Sequence, residues 1–238
     1  MTGWIALGPT GAGIRAIALK GDRITGEGRG EDEATALRGL PRAPLVRIGD
    51  GPATRLPAPV LPQSGNSLPA WEQASPPDIL SAWVRIWIAG YLAARPNWDG
   101  VVCITHADIT HWIHISASEA VSAQSLLTPR LVTALHGAAT PDRAALSETL
   151  SRPERLAAHL RVAEVVGDTG ATTGHLLGAE LAATRAYWLG QQVAVISQTP
   201  QAHMAALSDQ GVPATAHDPE TLLAPGLIAL GRALHLSS

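Results

Sequence analysis

The first half of the chain alternates short apolar runs with polar turns, a pattern typical of β-strands. Runs at residues 4–7, 14–19 and 23–27 are separated by Gly-rich and Lys-Gly-Asp turns, which predicts a β-meander. A short helix is predicted for residues 31–40 and another strand for residues 44–48. Residues 49–77 are rich in Pro, Gly and Ser and lack periodicity, so we expect an irregular excursion there.

Helical periodicity begins after this excursion and continues up to Arg95 and Pro96. The positions that recur at helical spacing are Ile79, Trp83, Ile86, Trp87, Gly90 and Tyr91. Pro76, Pro77 and Asp78 form the predicted start of this helix, with Asp78 in the capping position.

The second half repeats the order of meander followed by helix. Strands are predicted at residues 101–105, 112–116, 120–127, 193–197 and 213–216, and helices at 129–136, 141–150, 153–165, 173–189, 200–210 and 219–235. The repeat, which starts near residues 4 and 101, predicts an α/β fold of two ribonuclease H-like lobes. We expect mixed β-sheets flanked by helices, a cleft between the lobes, and domains at residues 1–96 and 97–238. Leucines at helical spacing should pack the last helix on the lobes: Leu222, Leu223, Leu227, Leu230 and Leu234.

Composition narrows the class of protein. The 238 residues are 46% hydrophobic and 16% charged, with a net charge of −3, which is typical of a globular protein without a broad field for nucleic acid or anionic membrane. Neither a signal peptide nor an apolar run of about 18 residues is evident, so a cytoplasmic location is expected. Cys103, the single cysteine, lies in an apolar run and is predicted to be a buried core thiol.

Residues 8–14, GPTGAGI, form a glycine-rich segment directly after the first predicted strand. Glycines at 8, 11 and 13 let the backbone turn tightly and point N–H groups at an anion. Phosphoryl transfer also needs a carboxylate that positions Mg²⁺, and this segment has none.

Several segments together resemble the 2-dehydro-3-deoxygalactonokinase family of actin-like and hexokinase-like sugar-acid kinases. WIALGPTGAGIRAIAL is similar to the family's IAIDWGTTNLRAW, and GHLLGAELAATRAYW to its GLLIGAEL helix. Residues 75–116 are similar to PPDVMRGEETQIxGxL followed by NPxxDGVxCLPGTHxKWVHI. The resemblance implies ATP and Mg²⁺ as cofactors and a sugar acid as substrate. Residues 49–74 are shorter than the corresponding family segment.

The resemblance also implies site residues, and most of the charged ones are replaced. In the phosphate loop the family's aspartate falls on Gly8, its glycine on Thr10 and its hydroxyl residues on Gly11 and Ala12, while Arg15 is kept. In the substrate cleft two family glutamates fall on Trp83 and Val84, its threonine on Arg85, and its Met-Thr-Gly-Glu on residues 127–130, which include Thr128 and Arg130. The family's loop Pro-Gly-Thr-His-x-Lys-Trp, in the second lobe, falls on residues 105–112, where its glycine and its lysine have no equivalents. Gly170 and Thr172, in the run GDTGATTG, are candidate nucleotide contacts.

Three functions remain open. A degenerate kinase homologue, which we favour, would bind a partner such as an active paralogue, or sense a sugar acid or nucleotide. An active sugar-acid kinase would use displaced acids such as Asp78, Asp99 or Asp108. A purely structural oligomerisation protein would bind no ligand.

For several single residues, more than one role remains open. Asp78 is a helix cap or a catalytic base, and Arg15 a phosphate contact or a structural ion-pair partner. Trp83 packs in the core, fills the former substrate cleft or forms a subunit contact. GDTGATTG is an anion-binding turn or a helix entry capped through Thr172 or Thr173.

The histidines at 106, 111 and 114 do not form a predicted metal site. The odd separation of His111 and His114 on a strand places their side chains on opposite faces. No other metal-binding set is predicted.

Overall fold

A computed structural model describes residues 3–236 of the chain. Up to residue 98 the elements are β1 (Gly3–Thr10), β2 (Gly13–Lys20), β3 (Arg23–Gly30), α1 (Glu33–Ala36), β4 (Leu45–Ile48), β5 (Thr54–Arg55), β6 (Ala58–Pro59), β7 (Ser67–Leu68), β8 (Trp71–Ala74), β9 (Pro77–Leu80) and α2 (Ala82–Ala93).

Beyond residue 98 the elements are β10 (Gly100–His106), β11 (Ile109–Ser116), β12 (Glu119–Leu126), α3 (Thr128–Ala134), α4 (Arg143–Ser151), a short 3-10 helix (Pro153–Arg155), α5 (Leu156–Val166), α6 (Thr169–Ala183), α7 (Arg185–Trp188), β13 (Val193–Ile196), α8 (Gln201–Asp209), β14 (Ala214–His217) and α9 (Pro219–Ala233).

The contacts divide the chain into two compact units. The first contains the residues up to Trp98, Ile115–Ser122 and the residues from Asp218 onward, and the second contains Asp99–His114 and Ala123–His217. The grouping assigns α9 to the first unit. The predicted division into lobes at residues 1–96 and 97–238 stays a prediction.

The first unit is built on a five-stranded sheet with the strand order β3-β2-β1-β4-β7. The predicted meander forms its antiparallel part, and β4 lies parallel to β1 on the other side. Residues 4–7 of β1 are all buried, which fits a central strand covered on both faces. A three-stranded sheet, in the order β5-β8-β9, and β6, which pairs with the start of β12, complete the unit's strands.

Two predictions for residues 49–81 are wrong. The predicted irregular excursion contains four short strands, β5 to β8. The predicted helix start is strand β9, in which Asp78 pairs with Gln73 of β8 and its carboxylate accepts a hydrogen bond from the Ile79 N–H at 2.9 Å. Ser81 caps α2 instead, accepting from the Trp83 N–H at 3.3 Å.

The last helix packs as its pattern predicts. The leucines of its apolar face, Leu222, Leu223, Leu227, Leu230 and Leu234, are all buried. Within the first unit α9 packs against α2, a helix whose residues from Ala82 to Tyr91 are all buried. Packing against α9 covers one face of α2, which fits the predominantly apolar sequence of this helix.

The second unit contains most of a six-stranded sheet with the strand order β14-β13-β10-β11-β12-β6. Strands β10, β13 and β14 are parallel, as expected for strands joined by helical crossovers. Helix α6 starts at Thr169 with Asp168 as its cap, four residues before the predicted start. It ends at Ala183, and the predicted remainder is the separate helix α7. The two mixed sheets and their helices confirm the predicted α/β, ribonuclease H-like fold class.

Candidate functional site

The glycine-rich segment of residues 8–14 is a tight β-hairpin. Strands β1 and β2 stay in register up to the pair Thr10 and Gly13, so only Gly11 and Ala12 form the turn. The Thr10 hydroxyl donates to the carbonyl of Gly13 at 3.0 Å and accepts from the N–H of Ala12 at 3.3 Å. The hydroxyl is therefore used to close the turn.

Gly8, the position of the family's aspartate, has no room for a side chain. A Cβ built on this residue would lie 2.3 Å from the carbonyl oxygen of Ile48 and 2.7 Å from its Cβ. Both distances are far below van der Waals contact, and Ile48 belongs to the neighbouring strand β4. An acid at position 8 is incompatible with this β1–β4 packing.

Arg15 forms ion pairs with two carboxylates of its own unit. Its Nε lies 3.0 Å from Glu27, and its terminal nitrogens donate to Glu220 at 3.1 and 2.9 Å. Burial by itself lowers the pKa of Arg15, but the hydrogen bonds from Glu220 and Glu27 outweigh it, and the pKa is raised. The geometry supports the structural alternative for Arg15, because these bonds occupy the donors that a phosphate would need.

Trp83 joins helix α2 to the hairpin. Its side chain is buried, and its indole N–H donates to the carbonyl of Pro9 at 2.7 Å. A tryptophan in this position packs against the hairpin and satisfies its single donor at the same time. The burial of Trp83 and its hydrogen bond favour the core alternative, and its place in the former substrate cleft stays a prediction.

Arg85, predicted in the substrate cleft, is buried and bound to backbone carbonyls. Its guanidinium donates to Val60, Pro69 and Pro59 at 3.0, 2.7 and 3.2 Å, and it lies 4.9 Å from the Trp71 ring centroid. Burial lowers the pKa of Arg85 to about 10. These contacts connect Arg85 to the loop of residues 59–69, and its place in the substrate cleft stays a prediction.

A small cavity of about 200 Å³ lies beside the hairpin in the first unit. Its walls include Gly8, Pro9, Ile48 and Asp50, and the ion pair in which Arg47 donates to both oxygens of Glu33 at 2.6 and 3.2 Å. Ligand pockets usually measure about 300–1,000 Å³. The cavity is too small for a nucleotide, and of its two carboxylates Glu33 is already paired.

The GDTGATTG run is a helix entry capped by an acid. The Asp168 carboxylate accepts from the N–H of Ala171 at 2.8 Å, and the Thr172 hydroxyl donates to the Asp168 carbonyl at 3.1 Å. Gly170 accepts from the N–H of Asp142 at 2.9 Å. A carboxylate at the positive end of α6 opposes a second anion there, so the anion-binding alternative is not supported. Capping occurs through Asp168 and not through Thr172 or Thr173.

Thr128 and Arg130 have different environments in the second unit. Arg130 is exposed, whereas Thr128 is buried and its side chain hydrogen-bonds Glu180. Asp99 and Asp108, the other candidate acids, are both exposed, and Asp108 lies in the turn after β10.

Sequence reasoning missed Glu180, a fully buried carboxylate on α6. Its Oε1 accepts from the Trp112 indole at 3.0 Å and lies 2.9 Å from Nε2 of His203. Burial alone would raise the pKa of Glu180, but the positive charge and hydrogen bond of His203 outweigh it and lower the pKa. The sequence signal for Glu180 was a single acid inside the apolar helix LLGAELAA.

Cys103 is buried as predicted. Its burial and, to a smaller extent, the charge of Glu180 raise the pKa of its thiol.

The two histidines of β11 differ in burial, as expected for side chains on opposite faces of the strand. His111 is buried, with its Nδ1 2.6 Å from the Ser125 hydroxyl, whereas His114 is partly exposed. Burial lowers the pKa of His106.

The predicted site residues are divided between the two units. The first unit contains Gly8, Thr10, Gly11, Arg15 and Trp83, and the second contains Thr128, Arg130, Gly170 and Thr172.

The fold is shared with solved structures at low sequence identity. A candidate 2-dehydro-3-deoxygalactonokinase from Sinorhizobium meliloti matches with a TM-score of 0.79 and 17% identity, over 98% of this chain and 99% of that one. Component A of (R)-2-hydroxyglutaryl-CoA dehydratase from Acidaminococcus fermentans matches with a TM-score of 0.51 and 10% identity, over 98% and 99% of the two chains. No family model matches the chain, and a search of curated proteins finds no significant match.

Proposed function

We propose that this chain is a degenerate member of the 2-dehydro-3-deoxygalactonokinase family, with a binding or regulatory role in place of efficient phosphoryl transfer. The sequence motifs and the full-length fold match to the candidate kinase support the family. The observation that carries the loss of catalysis is the contact between Gly8 and Ile48, which leaves no space for an acid at the position of the family's aspartate.

The residues of the hairpin do not fit the cofactors that the family implies. Mg²⁺ prefers carboxylate oxygens and nucleotide phosphates as ligands. Position 8 offers no side chain, Thr10 closes its own turn, and Arg15 is held by Glu27 and Glu220. Replacing such contacts typically costs about 10²- to 10³-fold in rate for each one lost.

The ligand of such a protein is a small sugar acid or a nucleotide, and its protein partner is a second copy of the chain or an active paralogue. We place it in the cytoplasm. Among residues 3–236, none of the helices combines the length and apolar character needed to cross a membrane.

The alternative is an active sugar-acid kinase that uses displaced acids. Asp50 favours this alternative most directly, because its carboxylate side chain lines the cavity next to Gly8. An Asp50-dependent kinase would bind ATP more tightly with Mg²⁺ than without it.

Calorimetry with ATP, with and without Mg²⁺, distinguishes these functions. The degenerate kinase binds ATP weakly, and Mg²⁺ changes the affinity little. A low-micromolar affinity that requires Mg²⁺ and disappears in Asp50→Asn would contradict the proposal. Glu72→Gln, at an exposed acid that does not line the cavity, is the control for Asp50→Asn. A thermal-shift screen of sugar acids then identifies a ligand, because a ligand that binds only the folded form raises its Tm.

A further inference from the structure

Three helices of the second unit bring two histidines and a glutamate together. Glu148 lies on α4, His159 on α5 and His175 on α6. One nitrogen of each imidazole and one carboxylate oxygen all lie within 4.8 Å of one another. Both histidines are buried, whereas the Glu148 side chain is 54% exposed, so the cluster has one side open to solvent.

Close packing of α4 and α6 creates this arrangement. A Cβ at Gly174 would lie 2.4 Å from the carbonyl oxygen of Asp142, the cap of α4, and one at Gly178 would lie 2.4 Å from that of Leu146 in α4, so both positions require glycine. His175 lies between these two glycines in sequence. The close approach of the helices brings its ring against Thr149, the residue after Glu148.

Thr149 orients both imidazoles. Its buried hydroxyl lies 2.8 Å from Nδ1 of His159 and 2.8 Å from Nδ1 of His175. A hydroxyl oxygen has two lone pairs and can accept from both Nδ1–H groups, which leaves both Nε2 atoms as lone-pair donors. Metal-binding histidines are typically held in this way, with the second ring nitrogen bonded to an oxygen.

One ring nitrogen of His159 lacks a hydrogen-bond partner. Its Nε2 is buried and has no hydrogen-bond partner among the described residues. The nearest carboxylate oxygen, Oε1 of Glu148, is 3.4 Å away, which is longer than an ordinary hydrogen bond. Ligand atoms bound to one tetrahedral zinc ion lie about 3.4 Å apart, because zinc bonds to nitrogen and oxygen measure about 2.0–2.2 Å.

We propose that Glu148, His159 and His175 form a binding site for a divalent transition metal of the zinc class, with water in the remaining position. The site is independent of the function proposed above. Two neutral imidazoles and one carboxylate suit Zn²⁺ and do not suit Mg²⁺ or Ca²⁺, which prefer oxygen ligands. The ion would tie α4, α5 and α6 together.

The test is zinc titration of the untagged, EDTA-stripped protein. We expect one Zn²⁺ per chain by calorimetry and a rise in Tm of about 5–10 °C at a hundredfold excess over Kd. Mg²⁺ should leave the Tm unchanged. Co²⁺ bound in place of Zn²⁺ should give visible absorption bands, a readout that stability alone cannot produce.

Variants separate this site from other zinc binding. Glu148→Gln, at an exposed position that is safe for folding, should weaken zinc binding at least tenfold, as should His159→Gln. Thr149→Val should weaken it about 10- to 100-fold by releasing the rings. Glu154→Gln, an exposed acid on the following 3-10 helix, is the matched control and should bind normally. The absence of stoichiometric binding, or binding equal in wild type and Glu148→Gln, would overturn the proposal.

Discussion

Arg15 and Glu220 are 205 positions apart in sequence, yet a terminal nitrogen of Arg15 lies 2.9 Å from a carboxylate oxygen of Glu220. The pair connects strand β2 to the first turn of α9 inside one unit. The arginine that the family resemblance keeps therefore stabilises the attachment of the last helix.

Replacing Arg15 tests this structural role. Arg15→Met should lower the free energy of unfolding by about 1–2 kcal/mol, because the guanidinium is buried but its carboxylate partners are partly exposed. Arg15→Lys keeps the charge but loses the forked geometry, so its free energy of unfolding should lie between those of Arg15→Met and wild type. Denaturant unfolding of the three proteins gives the values.

The Arg15 contribution should also depend on pH. Burial alone would raise the pKa of Glu27, but hydrogen bonds from Arg15 and Arg29 outweigh it and lower the pKa below its usual 4.5. A lowered folded-state pKa means that the stabilisation is present above pH 4.5 and is lost as the pH falls through the folded value. The stability difference between wild type and Arg15→Met should shrink below that pH; a constant difference would contradict the ion pair.

Two glycines of the hairpin offer a matched comparison. Gly8→Ala should destabilise the protein by about 2–4 kcal/mol, since its Cβ would overlap Ile48 and force β1 and β4 apart. Gly11→Ala should change stability by less than about 0.5 kcal/mol, because its Cβ meets nothing within 4 Å. Thermal unfolding measures both. Equal Tm values for the two variants would show that the strands adapt to a side chain at position 8 and would contradict the steric argument.

Trp83 is the third test. Trp83→Phe should cost about 1–3 kcal/mol, because the Pro9 carbonyl loses its donor and the smaller ring leaves space. Trp83→Glu restores the family's residue but should leave kinase activity undetectable, since Gly8 and Arg130 remain different from the family pattern. A gain of ATP turnover in Trp83→Glu would show that this tryptophan alone blocks the site.

Glu180 anchors the buried polar cluster of the second unit. Glu180→Ala should cost about 3–5 kcal/mol, because Trp112 and His203 lose their acceptor in a dry environment. Glu180→Gln keeps an oxygen acceptor and should cost less. Urea unfolding of both variants measures the costs, and equal values would mean that the charge, not the hydrogen bonding, is what matters.

Periodicity predicted most of the fold. The meander of β1, β2 and β3 and the leucine face of α9 were predictable because each pattern is repeated several times within one element. Residues 49–81 were not, because two-residue strands such as β5 and β6 are set by their pairing partners and leave no periodic signal. The sequence does not distinguish a helix cap at Asp78 from a strand residue, because Asp after Pro is common at helix caps and at strand edges.

The site was less predictable than the fold. The absence of an acid at position 8 was visible in the sequence, but the reason that none fits there is the distance to Ile48, a residue 40 positions away. Likewise, Glu148, His159 and His175 are on three different helices, and no local spacing connects them. Contacts of this kind depend on helix and strand packing, which one sequence does not reveal.

A coupled assay of ADP release tests most directly whether this chain transfers phosphate. The unmodified protein is incubated with ATP, Mg²⁺ and 2-dehydro-3-deoxygalactonate, with heat-denatured protein as the blank. The degenerate-kinase account predicts no ADP release above the blank. Robust ADP release that depends on the sugar acid would contradict it, while leaving the resemblance to the kinase family intact.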